Sequence, residues 1–404
     1  MNGSPKGGAS VERTQITLLL PTVPLHQPKK KLLYLAVCDP DLEVTGATVR
    51  IGAFVKHLAS YYDVTLVNME GSGYRVDPEI AKRFRDHDNQ FGVTQRVSTG
   101  FSQPGYFLFS TALYRAVDSF LKTGMFDYLV ADYGLAALYG SWFAKRYGIP
   151  LIYCSHNIEY RMYLYLSRYD WRRALLVPYV YLAERAACHT ATLLVVISEN
   201  DGRHYTKWVG TDKINVIPQG FDPDVYHPFY PPPPSSPAVV LFVGSFRSEA
   251  NRQAARHVVR DILPTVVKER PDAIFQFVGA DPPDDLTGPN VECCGFVDDL
   301  APYLRRANVV LAPMPFAHGM ATKIIHALAF GKTVVSTPEA AGAIPQKYRQ
   351  LVVTPMDAFA STIVELLSGS VPMDADEFDD LCNLYAWPRL IARLYQRIEQ
   401  SCSA

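Results

Sequence analysis

Three absences frame this chain. No run of 18 apolar residues occurs among its 404, so no segment is suited to crossing a bilayer as a helix. Neither sign of charge dominates: 39 basic and 40 acidic residues leave a formal net charge of −1. That excludes a nucleic-acid binder driven by bulk charge, although a local basic patch stays open. Cysteine is sparse and unpatterned. Cys38, Cys154, Cys188, Cys293, Cys294, Cys382 and Cys402 show no C-x-x-C spacing and sit mostly in apolar runs. This reads as reduced core thiols of a cytoplasmic protein, not a zinc or disulfide framework. The first residues also lack the order of a secretory signal, because their short apolar patch precedes the lysines. Residues 1–30 read as a flexible tail.

What is present is an alternation of strands and helices. The length fits about two domains, and a hydrophobic share of 48% can fill two cores. Residues 32–37, LLYLAV, suit a strand buried on both faces. The polar loop CDPDLEVTGAT follows, then VRIGAFVKHLASYY with helical spacing, then the strand DVTLVNM. This is a β-loop-α-β unit with Gly46 near the helix start. YLVAD (128–132), LIYCS (151–155) and LLVVIS (193–198) are further strands, with helical patterns such as LAALYGSWFAKRYG between them. The alternation predicts a parallel, doubly wound α/β sheet.

The first unit closes near INVIPQGFD (214–222). HPFYPPPPSSP (227–237) cannot enter a helix or a central strand and reads as a linker. A second α/β unit begins at VVLFVGS (239–245) and continues through IFQFVGA, VECCGFV, NVVLAPM and TVVST. The expected division is 31–226 for the first Rossmann-like domain, 227–237 for the joint, 238–385 for the second domain and 386–404 for a closing helix. That helix, WPRLIARLYQRIEQ, is amphipathic with Pro388 at its start, and it is expected to pack back on the first domain. Residues 160–185, rich in aromatics and arginine, read either as a face for an anionic membrane surface or as a core helix with a polar loop. Ligands of such sheets bind outside the carboxyl ends of the strands.

Seven stretches, in order and spacing, resemble glycosyltransferase family 4, the retaining branch with the GT-B fold. They are TGATVR (45–50), SHNIEY (155–160), VISENDGRHY (196–205), VIPQGFDPDVYHP (216–228), LFVGS (241–245), GFVDDLAPYL (295–304) and KIIHALAFGKTVVST (323–337). The resemblance implies two Rossmann-like domains facing each other across a cleft. It implies transfer of a sugar from a nucleotide-diphosphate donor to an acceptor hydroxyl, in polysaccharide, glycolipid or other glycoconjugate synthesis. No metal or other cofactor is expected, since no D-x-D follows a strand of the second unit in a suitable context. No nucleic-acid partner is expected. The setting implied is cytoplasmic, with a peripheral contact on the inner face of the membrane left open.

The resemblance also implies site residues. A diphosphate needs amide groups at a helix start and a cation; His318, Gly319, Met320 and Ala321 lead into such a helix, and Lys323 stands in its first turn. Ser245 and the loop after it close the other side. The family's usual cations are absent there, which leaves Arg247 and Arg252 as substitutes. Phe296 and Val297 are expected beside the nucleobase. The family places two glutamates eight apart; here His318 and His326 hold those positions and are expected to face the donor, titrating near 6.5. Gly46 allows close approach of backbone to the donor phosphates. Arg50 and Glu199 are expected on the acceptor side, and His156 at the reacting sugar as the catalytic candidate. Two rivals stay open: a degenerate GT-B subunit that binds without turnover, and a GT-B nucleotide-sugar epimerase.

Overall fold

The computed structural model describes residues 28–36, 46–70, 95–100, 111–168, 170–226, 228, 236–314, 320–369 and 372–402. Nearly all of the expected tail and most of the expected linker lie outside the described residues.

In the first unit β1 (Lys31–Ala36) leads to α1 (Gly46–Leu58), β2 (Asp63–Glu70), β3 (Gln95–Gly100), α2 (Thr111–Thr123), β4 (Tyr128–Asp132) and α3 (Gly134–Tyr147). Then come β5 (Leu151–Cys154), α4 (Glu159–Leu166), α5 (Arg172–Thr190), β6 (Leu193–Val196), α6 (Glu199–Tyr205) and β7 (Ile214–Val216). The second unit starts with β8 (Val239–Val243), α7 (Glu249–His257), α8 (Leu263–Glu269), β9 (Ile274–Val278), β10 (Val291–Gly295) and α9 (Ala301–Arg306). It continues through β11 (Val309–Ala312), α10 (Thr322–Ala329), β12 (Thr333–Ser336), α11 (Pro338–Ala341), β13 (Leu351–Val353), α12 (Phe359–Leu366) and α13 (Ala375–Tyr385), and α14 (Trp387–Cys402) closes the chain.

The strands form two separate parallel sheets, ordered β3-β2-β1-β4-β5-β6-β7 and β10-β9-β8-β11-β12-β13. The long apolar runs of β1 and β8 lie inside their sheets, because helices cover both faces of each sheet. In β8 and β11 alternate residues serve opposite faces: Leu241 and Val310 enter one apolar cluster, while Val240, Phe242, Val309 and Leu311 enter the other. Strand order reverses between β1 and β4 in the first sheet and between β8 and β11 in the second. Those two crevices are where an open α/β sheet receives its ligand.

Amphipathic α14 buries Trp387, Leu390, Ile391, Leu394 and Ile398 in the core of the first unit. Tyr395 stacks on Tyr61 with ring centroids 4.4 Å apart, and Trp387 meets Phe54 edge-on at 5.8 Å. Glu399 accepts from Tyr62 Oη at 3.0 Å and pairs with Lys30 at 2.6 Å. The outgoing and returning chains are tied where they pass: Phe221 N–H donates to the Tyr385 carbonyl and Trp387 N–H to the Phe221 carbonyl, both at 3.0 Å. Only glycine fits at 220, since a Cβ there would lie 2.6 Å from the Tyr385 carbonyl oxygen.

Candidate active site

At the first crevice, β4 ends in Asp132 and β5 is followed by Ser155 and His156. His156 is buried, and its Nε2 lies 2.6 Å from Asp132 Oδ1. A carboxylate only accepts, so Nε2 carries a proton directed at Asp132. The other Asp132 oxygen accepts from the Tyr34 hydroxyl in the middle of β1. Burial, with the nearby Asp132, holds that phenol well above its ordinary value, so it stays a donor. Tyr133, between β4 and α3, has φ 80° and ψ 155°. That backbone region is almost confined to glycine and costs on the order of 1–3 kcal/mol. The conformation sets the Tyr133 ring edge-on to His156, 5.2 Å between centroids.

Arg50 is placed differently from the sequence expectation. It is 1% exposed, and its two terminal nitrogens donate to the carbonyls of Ile217 (2.7 Å) and Pro218 (2.9 Å). Its guanidinium lies over the Phe54 ring at 4.5 Å. Helix phase explains the difference: Arg50 shares the inward face of α1 with Ile51, Phe54 and Val55. It fastens α1 to the chain leaving the first unit. Glu199 is exposed in the first turn of α6, a helix capped by Ser198, whose Oγ accepts from Asp201 N–H at 3.2 Å.

A pair of buried carboxyls near His156 has no counterpart in the sequence reading. Glu184 accepts from the backbone N–H groups of Glu159 (3.0 Å) and Tyr160 (3.3 Å) and from Tyr205 Oη (2.5 Å), so it caps the start of α4. Burial pushes Glu184 up to about 6. Burial and the Glu184 charge push Glu159 well above its ordinary value, and Glu159 Oε1 has no partner. Raised carboxyl values mean that the folded state holds protons that the unfolded chain releases near pH ~4.3, so this pair lowers stability as pH rises above that point. Glu159→Gln is therefore expected to flatten the decline of melting temperature between mildly acidic and mildly alkaline buffer. Thermal denaturation across that range checks it, and an unchanged slope would show that Glu159 is ordinary.

The second crevice is built on glycines. A Cβ on Gly279, whose φ is +153°, would lie 2.0 Å from the Gly244 carbonyl oxygen. This close crossing lets the chain after β8 turn over the end of β9, where Phe246 N–H donates to the Ala280 carbonyl at 2.9 Å. Asn251 Nδ2 donates to the Ser245 carbonyl at 2.8 Å, and Lys323 Nζ stands 3.4 Å from Asn251 Oδ1. The same ammonium lies over the Phe242 ring, 4.4 Å from its centroid. Burial pushes Lys323 down to about 7. Arg247 and Arg252 do not converge on it. Arg247 pairs with Asp281 at 2.6 Å and Arg252 with Glu249 at 3.1 Å.

The two crevices meet at helix starts. A Cβ on Gly46 would stand 3.2 Å from Thr322 Oγ1, so the first residue of α1 faces the first residue of α10. Ala321 precedes α10 and offers no side-chain cap. The first turns of two helices thus lie against each other, with Lys323 next to Thr322 in α10. Met320 is buried in the apolar cluster beneath, Val297 packs against that cluster, and Phe296 is half-buried. His318 and Gly319 lie outside the described residues.

His326 corrects an expectation. It is 9% exposed, its ring lies 4.6 Å from that of Tyr226, and it hydrogen-bonds the Gly220 carbonyl. Burial pushes it down to about 4. It is a neutral interior group joining α10 to the chain that leaves the first unit, and it does not titrate near 6.5.

Comparison with known proteins accords with this geometry. Residues 44–225 match the family described as Glycosyltransferase Family 4, and residues 237–369 match that described as Glycosyl transferases group 1. The chain belongs to the family-4 type of glycosyltransferases, and its fold is GT-B. Sucrose-phosphate synthase from Thermosynechococcus elongatus is similar with a TM-score of 0.67 at 16% identity, covering 92% of this chain and 99% of that one. Anabaena HepE in complex with UDP and glucose gives 0.67 at 14% identity, covering 92% of this chain and 100% of that one. A glycosyltransferase from Rickettsia africae gives 0.64 at 13%, covering 92% and 98%. At such identities the likeness is one of fold. No curated protein is a significant match by sequence.

Asp132, Tyr34 and Thr322 escaped the sequence reading; Asn251 stands about where the resemblance expects a cation. Asp132 ends a strand in the same sheet as His156 and was open to inference from that placement. Nothing local marks Tyr34 and Thr322.

Proposed function

We propose that the protein transfers a sugar from a nucleoside-diphosphate sugar to an acceptor hydroxyl, with retention of configuration, in the cytoplasmic assembly of a polysaccharide, glycolipid or other glycoconjugate. The observation that carries this reading is the meeting of two helix starts at Gly46 and Thr322, with Lys323 in the first turn of α10. Helix-start amides with an ammonium in the same first turn suit a diphosphate. Anabaena HepE, of the same fold, has been solved with UDP and with UDP-glucose.

In this reading the acceptor hydroxyl attacks the anomeric carbon from the side of the departing diphosphate. The C–O bond to the diphosphate breaks as the new C–O bond forms, and a diphosphate oxygen takes the hydroxyl proton. The protein positions the partners and stabilises charge on the leaving group. Lys323 and the α10 amides hold the phosphates, and His156, aligned by Asp132, offers a hydrogen bond to the sugar. No side-chain nucleophile is assigned.

Thermal denaturation with UDP-, GDP- and dTDP-sugars tests the donor class. A donor at about a hundred times its dissociation constant adds roughly 2.7 kcal/mol of stability. The anomeric configuration of the product, read by NMR, tests retention; an inverted product refutes it. If the folded protein is stabilised by no nucleotide sugar, a second reading takes over: a GT-B subunit that binds a partner without turnover. The engagement of Arg247 and Arg252 with nearby carboxylates and the buried, neutral His326 are the observations that favour it.

A further inference from the structure

We propose that the hairpin of α4 and α5 is a docking surface for an anionic lipid bilayer. Along α5, Val180, Glu184, Ala187 and Cys188 are buried. Trp171 just before the helix, then Leu175, Tyr179 and Leu182, recur at intervals of four, four and three residues, which places them on the opposite face. That face is open: Trp171 is 68% exposed, Leu175 69%, Leu182 63%, and Leu164 of α4 56%. Isolated exposed leucines need no explanation, but a tryptophan and several leucines on one helical hairpin do.

Charge selects the occupant. Between residues 159 and 190 the basic side chains are Arg161, Arg168, Arg172, Arg173 and Arg185, apart from His189, and the acids are Glu159, Asp170 and Glu184. Both glutamates are buried, and Asp170 stands 3.9 Å from Arg173. The hairpin surface is therefore strongly basic on a chain whose net charge is −1. Apolar side chains, a tryptophan, a tyrosine and surrounding arginines match the boundary between acyl chains and phosphate headgroups. A second copy docking through the same face would set arginines against arginines. No helix among the described residues is long and apolar enough to cross a membrane, so α5 lies along the surface.

Cosedimentation with vesicles tests this without any sugar donor. The protein is mixed at low salt with vesicles of phosphatidylcholine alone or of equal parts phosphatidylcholine and phosphatidylglycerol. Binding is expected to the anionic vesicles and to be weakened by salt. Arg168→Gln with Arg172→Gln should weaken it about twenty-five-fold, from about fivefold for each basic residue near an anionic surface. Trp171→Ser with Leu175→Ser should abolish it. All four positions are exposed, and an unchanged melting temperature verifies the fold of each variant. Failure of the folded wild type to bind anionic vesicles overturns the proposal, as does binding that neither pair of substitutions weakens. A wild-type dimer in light scattering that Trp171→Ser with Leu175→Ser dissociates, with no vesicle binding, assigns the face to a second copy instead.

Discussion

Affinity for a nucleoside-diphosphate donor is expected to fall about tenfold per pH unit above pH ~7, reaching roughly a hundredfold near pH 9, and the fall should vanish in Lys323→Met. Burial pushes the Lys323 ammonium from 10.5 down to about 7. A diphosphate binds the ammonium form, so above that value the amine must gain a proton as the donor enters. Below it the affinity levels off. Stability of the unliganded protein runs the opposite way. The unfolded chain keeps this proton up to about 10.4, so between the two values it binds more protons than the folded state, and stability rises with pH. Donor affinity that declines while unliganded stability climbs identifies the group. His326, pushed down to about 4, contributes no acid-side fall in the range where histidines usually act. Calorimetric titration of wild type and Lys323→Met across the range decides the matter. A flat wild-type profile, or the same slope in the variant, removes Lys323 from the phosphate site.

Asp132→Asn is expected to lower kcat/KM by between about tenfold and a hundredfold, the scale of one hydrogen bond to a charged group. The Asp132 carboxylate keeps a proton of His156 on Nε2 and fixes the ring. An asparagine that goes on accepting from Tyr34 turns its NH2 toward His156, which displaces the proton from Nε2. Asp132 also lies within the field of the buried Arg50, so a loss of activity by itself does not separate alignment from damage to the fold. The double-mutant cycle does. In a His156→Ala background the same substitution should cost little more, because the group it aligns is gone. An equal loss in both backgrounds would mean that Asp132 acts through Arg50 and not through His156.

How legible the molecule was depends on the kind of residue involved. The inner strands β1 and β8 could be read because a parallel strand covered on both faces is mostly apolar, as LLYLA (32–36) and VVLFV (239–243) are. The edge strands β3, QRVSTG, and β13, LVV, went unread: one is half polar and the other is three residues long. The closing helix was legible as amphipathic. Its packing on the first unit follows from the wide apolar stripe that begins at Trp387.

The candidate site was legible only in part, as a glycine at a helix start, a lysine in the first turn of another and a histidine past a strand end. Sequence determined that two doubly wound units occur in succession and that polar residues stand at the carboxyl ends of their strands, because both follow from local apolar patterning. Tertiary structure decided which of those groups meet. Lys323 finds Asn251 72 positions away, and Gly46 finds Thr322 across two sheets. It also decided which residues were withdrawn from the site. Arg50 and His326 occupy promising positions in their motifs, but the packing of α1 and α10 turns both inward. Periodicity fixes a side chain's angle about its own helix axis. What that angle faces, and how much water remains there to hold a charge, depends on chain segments far away in sequence.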